Sequence, residues 1–228
     1  MNKTIIVKVG TESLAHFHNS EKVDTMVRDI ARLMREKIRV VLISSGAVGC
    51  GREILQWETN KQVLASVGQP ILMARYAQKF EQYGIVTAQV LPTHAELEDI
   101  KSHREQFVRT VNGILDAGVL PIINENDALS TAEMQALWRG ADNDQNALLI
   151  GRILGATDIV LLTNTNGVYR DKSDASSRIE TLRANEITDA WIRTICGEKS
   201  TSGTGGMESK LHIGRALAET GGVTHICD

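Results

Sequence analysis

Short β-branched apolar runs alternate with helical patterns along nearly the whole chain, and each run ends in glycine or small polar residues. Runs at residues 4–9, 39–43, 85–91, 119–123, 158–162 and 223–227 read as strands. Residues 20–36, 46–54, 61–82, 104–117, 143–154, 187–195 and 208–220 read as helices; in the first of these Val23, Met26, Val27, Ile30, Leu33 and Met34 recur at helical spacing. Strands that are apolar throughout are buried on both faces, which requires parallel pairing and helices on each side. The pattern predicts an α/β protein, a three-layer α/β/α sandwich with a mostly parallel central sheet. Residues 128–139 read as a hairpin or an irregular excursion, and residues 164–174 as turns. There is no internal repeat, linker or low-complexity stretch, so residues 1–228 are expected to form a single domain.

Charge and composition narrow the function classes. Lys+Arg total 25 and Asp+Glu 28, a net charge of -3, so no basic excess points to nucleic acid or an anionic membrane. No apolar run approaches the roughly 20 residues that span a bilayer. The first ten residues carry Lys3 and Lys8 and lack a signal-peptide pattern. Cys50, Cys196 and Cys227 are too few and too scattered for a disulfide framework or a zinc site. A cytoplasmic protein is expected. Met73, Tyr76, Phe80 and Tyr83 recur at helical spacing and are expected in the core or a subunit interface. The six histidines show no ligand spacing and none is assigned to catalysis.

Four polar loops follow strand ends, where open α/β sheets place their ligands. In Lys8-Val9-Gly10-Thr11, an ammonium beside a glycine turn suits a phosphate, or else simply faces solvent. Ser44-Ser45-Gly46-Ala47-Val48-Gly49 opens a helix and suits a carboxylate or phosphate; the alternative is an N-cap serine in a tight turn. Asn124-Glu125-Asn126-Asp127, with Gly140-Ala141-Asp142-Asn143-Asp144 beyond it, concentrates short acidic and amide side chains. These make turns and caps, but so many carboxylates also call for an ammonium, a lysine or Mg²⁺. Ser202-Gly203-Thr204-Gly205-Gly206-Met207-Glu208-Ser209-Lys210 has the make-up of a polyphosphate cradle. A flexible glycine linker would not explain a lysine one turn inside the helix.

Taken in order, these motifs, with Gly51-Arg52-Glu53 and Val67-Gly68-Gln69, resemble the glutamate 5-kinases of the amino-acid kinase superfamily across nearly the whole chain. The resemblance implies the amino-acid kinase fold and phosphorylation of the γ-carboxylate of L-glutamate by Mg²⁺-ATP, the start of proline biosynthesis. It implies that Lys8 and Lys210 flank the transferring phosphoryl group, that Asp144 holds them, and that Ser45, Asn124, Asp127 and Asn143 serve glutamate. Lys8, Thr163, Asn164, Thr204, Gly205, Gly206, Met207 and Lys210 would contact ATP, and no protein side chain is assigned to the metal. It further implies a homo-oligomer and proline as feedback inhibitor, with residues 128–139 as a covering element. The chain departs from the family pattern in having Asn164 where Asp is usual and in ending soon after the strand at 223–227, and it is expected to be without the PUA domain that some members have and others lack. The rival readings are a superfamily kinase acting on another small acid or phosphate, and a catalytically weak nucleotide-binding regulator.

Overall fold

The computed structural model describes residues 3–14, 17–93, 97, 101–129, 143–197 and 206–228. In chain order the elements are β1 (Thr4–Val9), α1 (Glu21–Arg35), β2 (Arg39–Ser44), α2 (Ala47–Ile54), α3 (Lys61–Glu81), β3 (Thr87–Val90), α4 (Lys101–Asp116) and β4 (Leu120–Ile123). Then come α5 (Asn143–Leu154), β5 (Asp158–Leu162), β6 (Val168–Tyr169), β7 (Arg178–Ile179), α6 (Asp189–Cys196), α7 (Met207–Ala218) and β8 (Val223–Cys227). Six strands form one sheet in the order β3-β4-β2-β1-β5-β8, and every neighbouring pair is parallel.

Strand alternation sorts the side chains into two cores. Ile5, Val7, Val9, Val40 and Leu42 pack under α1 and α3, with Val23, Val27, Ile30, Leu72, Tyr76 and Phe80. Ile6, Val41, Ile43, Ile159 and Leu161 pack on the opposite face, under Phe107 and Val111 of α4, Ile150 of α5 and Ile213 of α7. The expected three-layer sandwich is therefore present. Tyr76 and Phe80 are fully buried, and Met73 and Tyr83 pack against their cluster, so the stripe on α3 is core.

Differences from the sequence reading lie at short or edge elements. β3 pairs only with β4 and is trimmed to four residues, because an edge strand ends where its one partner ends. The segment read as turns contains β6, which pairs antiparallel with β7; two-residue strands leave no periodicity to detect. That ribbon and α6 build a small satellite core of Val168, Ile187, Ile192 and Leu211. Most of residues 128–139 lie outside the described residues. Among the described residues no helix is long and apolar enough to cross a membrane.

The order of strands also sets where a ligand can bind. The chain runs from β1 to its neighbour β2, whereas the connection from β4, which includes α5, passes to β5 on the other side of β1. Loops leaving the carboxyl ends of these strands diverge and open a crevice there.

Candidate active site

Lys8 lies near the carboxyl end of β1 on the same face as Ile6, so its side chain points under α5 and α7. Asp144 is the second residue of α5, and Lys210 the fourth of α7. The three converge. Asp144 Oδ1 lies 2.5 Å from Lys8 Nζ, and its Oδ2 accepts from Lys210 Nζ at 2.7 Å. Asp144 is fully buried, and the two lysines are 8% and 7% exposed. Buried charges persist only when paired, and here one carboxylate serves two ammoniums. These three groups by themselves sum to a single positive charge. The N-termini of α5 and α7 add the positive ends of their dipoles at the same place. The N-cap of α7 is Gly206, which has no side chain to cover the helix end. Gly10 stands beside Lys8; a Cβ there would sit 3.6 Å from its Nζ. A group of charges arranged in this way suits an anion.

The loop after β2 forms a second wall. Ser45 is buried and Gly46 is the N-cap of α2, with φ of +107°. Only glycine adopts that backbone at low cost, so the alternative of a serine N-cap does not hold. Ser44 Oγ lies 2.8 Å from the Tyr76 hydroxyl and donates to Ser45 O at 3.0 Å, tying the loop to α3. Burial pushes the Tyr76 phenol above its ordinary range, against the pull of the Ser44 bond. Asn124 is buried at the end of β4, and its amide donates to Gln69. A cavity of 250 Å³ opens here, lined by Ala47, Gln69, Gln89, Glu125, Asn126 and Asp127 among others. Asn146 of α5 shares a small recess with Ser44, Asn124 and Glu125, so α5 connects the lysine cluster to this wall.

Burial disfavours the charged forms of both carboxyls in the acidic loop. Burial raises the Glu125 carboxyl, and Asp127 raises it further. Burial also raises Asp127, partly offset by Lys61 at the start of α3. A carboxyl whose folded pKa lies above its unfolded value favours folding below the unfolded pKa and loses that contribution as pH rises through the folded pKa. Asp127→Asn is therefore expected to raise the melting temperature at pH 7. The gain should vanish below about pH 4, where both states are protonated. Thermal melts of the two proteins across that pH range check this.

The other candidates fall into two groups. Asn164 Nδ2 donates to Glu12 Oε2 at 3.1 Å, linking the loops after β1 and β5. An aspartate there would have no such donor, so asparagine suits its neighbour. Thr163 follows β5, and its backbone N–H donates to Cys227 O at 2.8 Å. It lines an apolar groove with Val7, Met26 and Leu162 on the α1 face of the sheet. That face is opposite the one Lys8 uses, because successive residues of a strand point to opposite sides. Met207 opens α7 beside Gly206. Thr204, Gly205 and the side chain of Asn143 lie outside the described residues. Sequence reading missed Gln69, Glu12 and Lys61 as site residues. Gln69 left a signal, a polar residue within the buried face of α3. Glu12 and Lys61 left none, because their partners are distant in sequence.

Residues 3–228 match the Amino acid kinase family. Glutamate 5-kinase of Vibrio vulnificus is 36% identical over 223 residues, which cover 92% of this chain and 56% of that protein. The Streptococcus thermophilus glutamate 5-kinase is 33% identical over 231 residues, 95% of this chain and 85% of its own length. An Escherichia coli glutamate 5-kinase is 34% identical, and the chain spans 61% of it. Among solved structures, carbamate kinase from Giardia lamblia bound to AMP-PNP superposes with a TM-score of 0.70 at 16% identity, covering 100% of this chain and 92% of that one. N-acetylglutamate synthase from Neisseria gonorrhoeae gives 0.65 at 17% identity, covering 99% of this chain and 54% of that one. The structural likenesses establish the fold, and the family match together with the sequence identities establishes descent: the chain belongs to the amino acid kinase family.

Proposed function

We propose that this chain is an ATP-dependent kinase that phosphorylates the γ-carboxylate of L-glutamate, giving L-glutamyl 5-phosphate, the first step of proline biosynthesis. The observation that carries the reading is the Lys8–Asp144–Lys210 bridge, assembled from three remote parts of the chain. A carboxylate acceptor, with a reference pKa of about 4.3, is already ionised at pH 7 and needs no general base. The task is to bring two anions together and to screen the charge that spreads over the transferring phosphoryl group. In this reading Lys8 and Lys210 do this from two sides. Asp144 fixes both ammoniums; each has three N–H donors, and pairing with Asp144 does not by itself exhaust them.

The loop Ser45-Gly46-Ala47 at the start of α2 suits the acceptor's carboxylates, with Asn143 in support. Glu125 and Asp127, whose carboxyls burial has raised, gain a counter-charge from the acceptor's ammonium. Gly206, Met207 and Lys210, with Thr204, Gly205 and Asn164, serve the nucleotide, whereas Thr163 lines a groove on the opposite, α1 face of the sheet. Among the described residues no three His, Cys, Asp or Glu side chains group as a metal site. Mg²⁺ would come with the nucleotide's phosphates, where it neutralises charge. Proline as inhibitor, a homo-oligomeric state and a cytoplasmic location complete the reading.

The acidic loop also separates this reading from its nearest rival, a kinase of another small acid. It favours a free ammonium and repels an all-anionic acceptor. A coupled ADP-release assay with glutamate, aspartate, N-acetylglutamate and UMP, each with and without Mg²⁺, tests the proposal. Turnover with glutamate alone, dependent on Mg²⁺, is expected. Turnover with UMP or N-acetylglutamate but not glutamate would overturn it.

A further inference from the structure

The buried face of α3 is formed by Leu64, Ala65, Gly68, Leu72, Tyr76 and Phe80, and one amide interrupts it. Gln69 is 9% exposed. A buried amide needs partners, and Gln69 has two. Its Oε1 accepts from Asn124 Nδ2 at 2.8 Å, and its Nε2 donates to Gln89 Oε1 at 3.2 Å. Asn124 turns its own Oδ1 to the Glu125 backbone N–H at 2.9 Å. The direction of this relay is fixed from its end. A backbone N–H can only donate, so Asn124 must present oxygen to Glu125 and nitrogen to Gln69. Gln69 must then present oxygen to Asn124 and nitrogen to Gln89. The relay joins β3 and α3 to Asn124 and the Glu125 backbone at the start of the acidic loop. Its members Gln69, Gln89 and Glu125 also line the 250 Å³ cavity with Asp127.

We propose that Gln69 is a positioning residue, which sets through Asn124 the placement of Glu125 and Asp127 against the acceptor. The inference rests on the glutamate reading for the acceptor's identity. Gln69→Met preserves length and removes both polar partners. It is expected to raise KM for glutamate about tenfold or more, the scale of one buried amide partner lost. KM for ATP should stay within about twofold and kcat within about threefold, because the interaction acts on binding. In an Asn124→Leu background the same substitution should add less than about twofold, since both residues act on one element. Gln89→Ala, which removes only the outer anchor, should shift KM for glutamate in the same direction by a smaller factor, and it covers the case in which Gln69→Met fails to fold.

Amide hydrogen exchange reads the loop without any substrate. In Gln69→Met, exchange at Glu125 should quicken by about tenfold while Ile6 and Val41 in the central strands stay protected. Equal rises in KM for ATP and glutamate, full additivity with Asn124→Leu, or unchanged exchange at Glu125 would each overturn the proposal. Absence of glutamate turnover in the unsubstituted protein would overturn the substrate reading instead. The exchange experiment would then still decide the role of Gln69.

Discussion

Lys210→Met is expected to lower kcat by about 10²–10³-fold, the scale seen when one preorganised electrostatic donor is lost at a developing charge. KM for glutamate should change far less, because an interaction made mainly in the transition state shows in kcat. The fold should survive. Removing Lys210 leaves Lys8 and Asp144 as a neutral buried pair at 2.5 Å. Asp144→Asn is the instructive contrast. It leaves two nearly buried ammoniums facing a neutral amide, and breaking a buried ion pair in this way costs about 3–5 kcal/mol. Activity and thermal melts measured on both variants separate the two effects. Lys210→Met should show lost turnover with near-normal melting, and Asp144→Asn should show both losses. Unchanged kcat in Lys210→Met with a raised KM would remove Lys210 from the chemistry.

Gly68→Ala is expected to be strongly damaging, although it adds only one methyl group. A Cβ at Gly68 would lie 1.8 Å from Ala47 O and 2.4 Å from Gly51 N. From the other side, a Cβ at Gly51 would lie 2.0 Å from Leu64 O. Both obstacles are backbone, so no rotamer change relieves them. The α2 and α3 axes would have to separate, and the start of α2 carries Gly46 and Ala47 of the candidate acceptor wall. A loss of about 3 kcal/mol or more is expected, at the upper end for overpacking. At this chain length that corresponds to a fall in Tm of roughly 6–12 °C. Gly113→Ala is the control. Gly113 lies in α4 with nothing within 4 Å of its would-be Cβ. There the same substitution should stabilise by about 0.5–1 kcal/mol through helix propensity. Differential scanning calorimetry should give shifts of opposite sign. A mild effect at Gly68 would show that the two helices can part at low cost.

The two glycines also mark the boundary between what can be read from a chain and what cannot. Gly68 and Gly113 both lie inside helical patterns, and local sequence offers no physical reason to treat them differently. The distinction arises only when α2 is laid against α3. Much of the architecture, by contrast, is local. Each of the strands β1, β2, β4 and β5 is an apolar run whose burial on both faces requires parallel pairing. Each helix shows its buried stripe at 3.6-residue spacing, as in Val23, Val27 and Ile30 of α1. The element sequence and the sandwich followed from those periodicities. Element ends, the edge strand β3 and the β6–β7 ribbon did not, since they depend on where a partner stops.

The site divides in the same way. Lys8, Ser45, Asp127, Asp144 and Lys210 could be named as candidates because they stand in polar loops, or at the helix starts that follow them, and because the ordered set of those motifs resembles one family. That one carboxylate stands between two lysines was available only through the family resemblance, not from spacing or periodicity, since residues 8, 144 and 210 meet through the sheet order and the packing of α5 against α7. The amide relay from Gln89 to Glu125 and the Asn164–Glu12 bond were not legible, for hydrogen bonds between distant segments leave no period in the chain. The sequence by itself determined the kinds of groups available and the secondary structure that carries them. The tertiary structure decided which charges share a buried space, because that depends on distances set by strand order and helix packing.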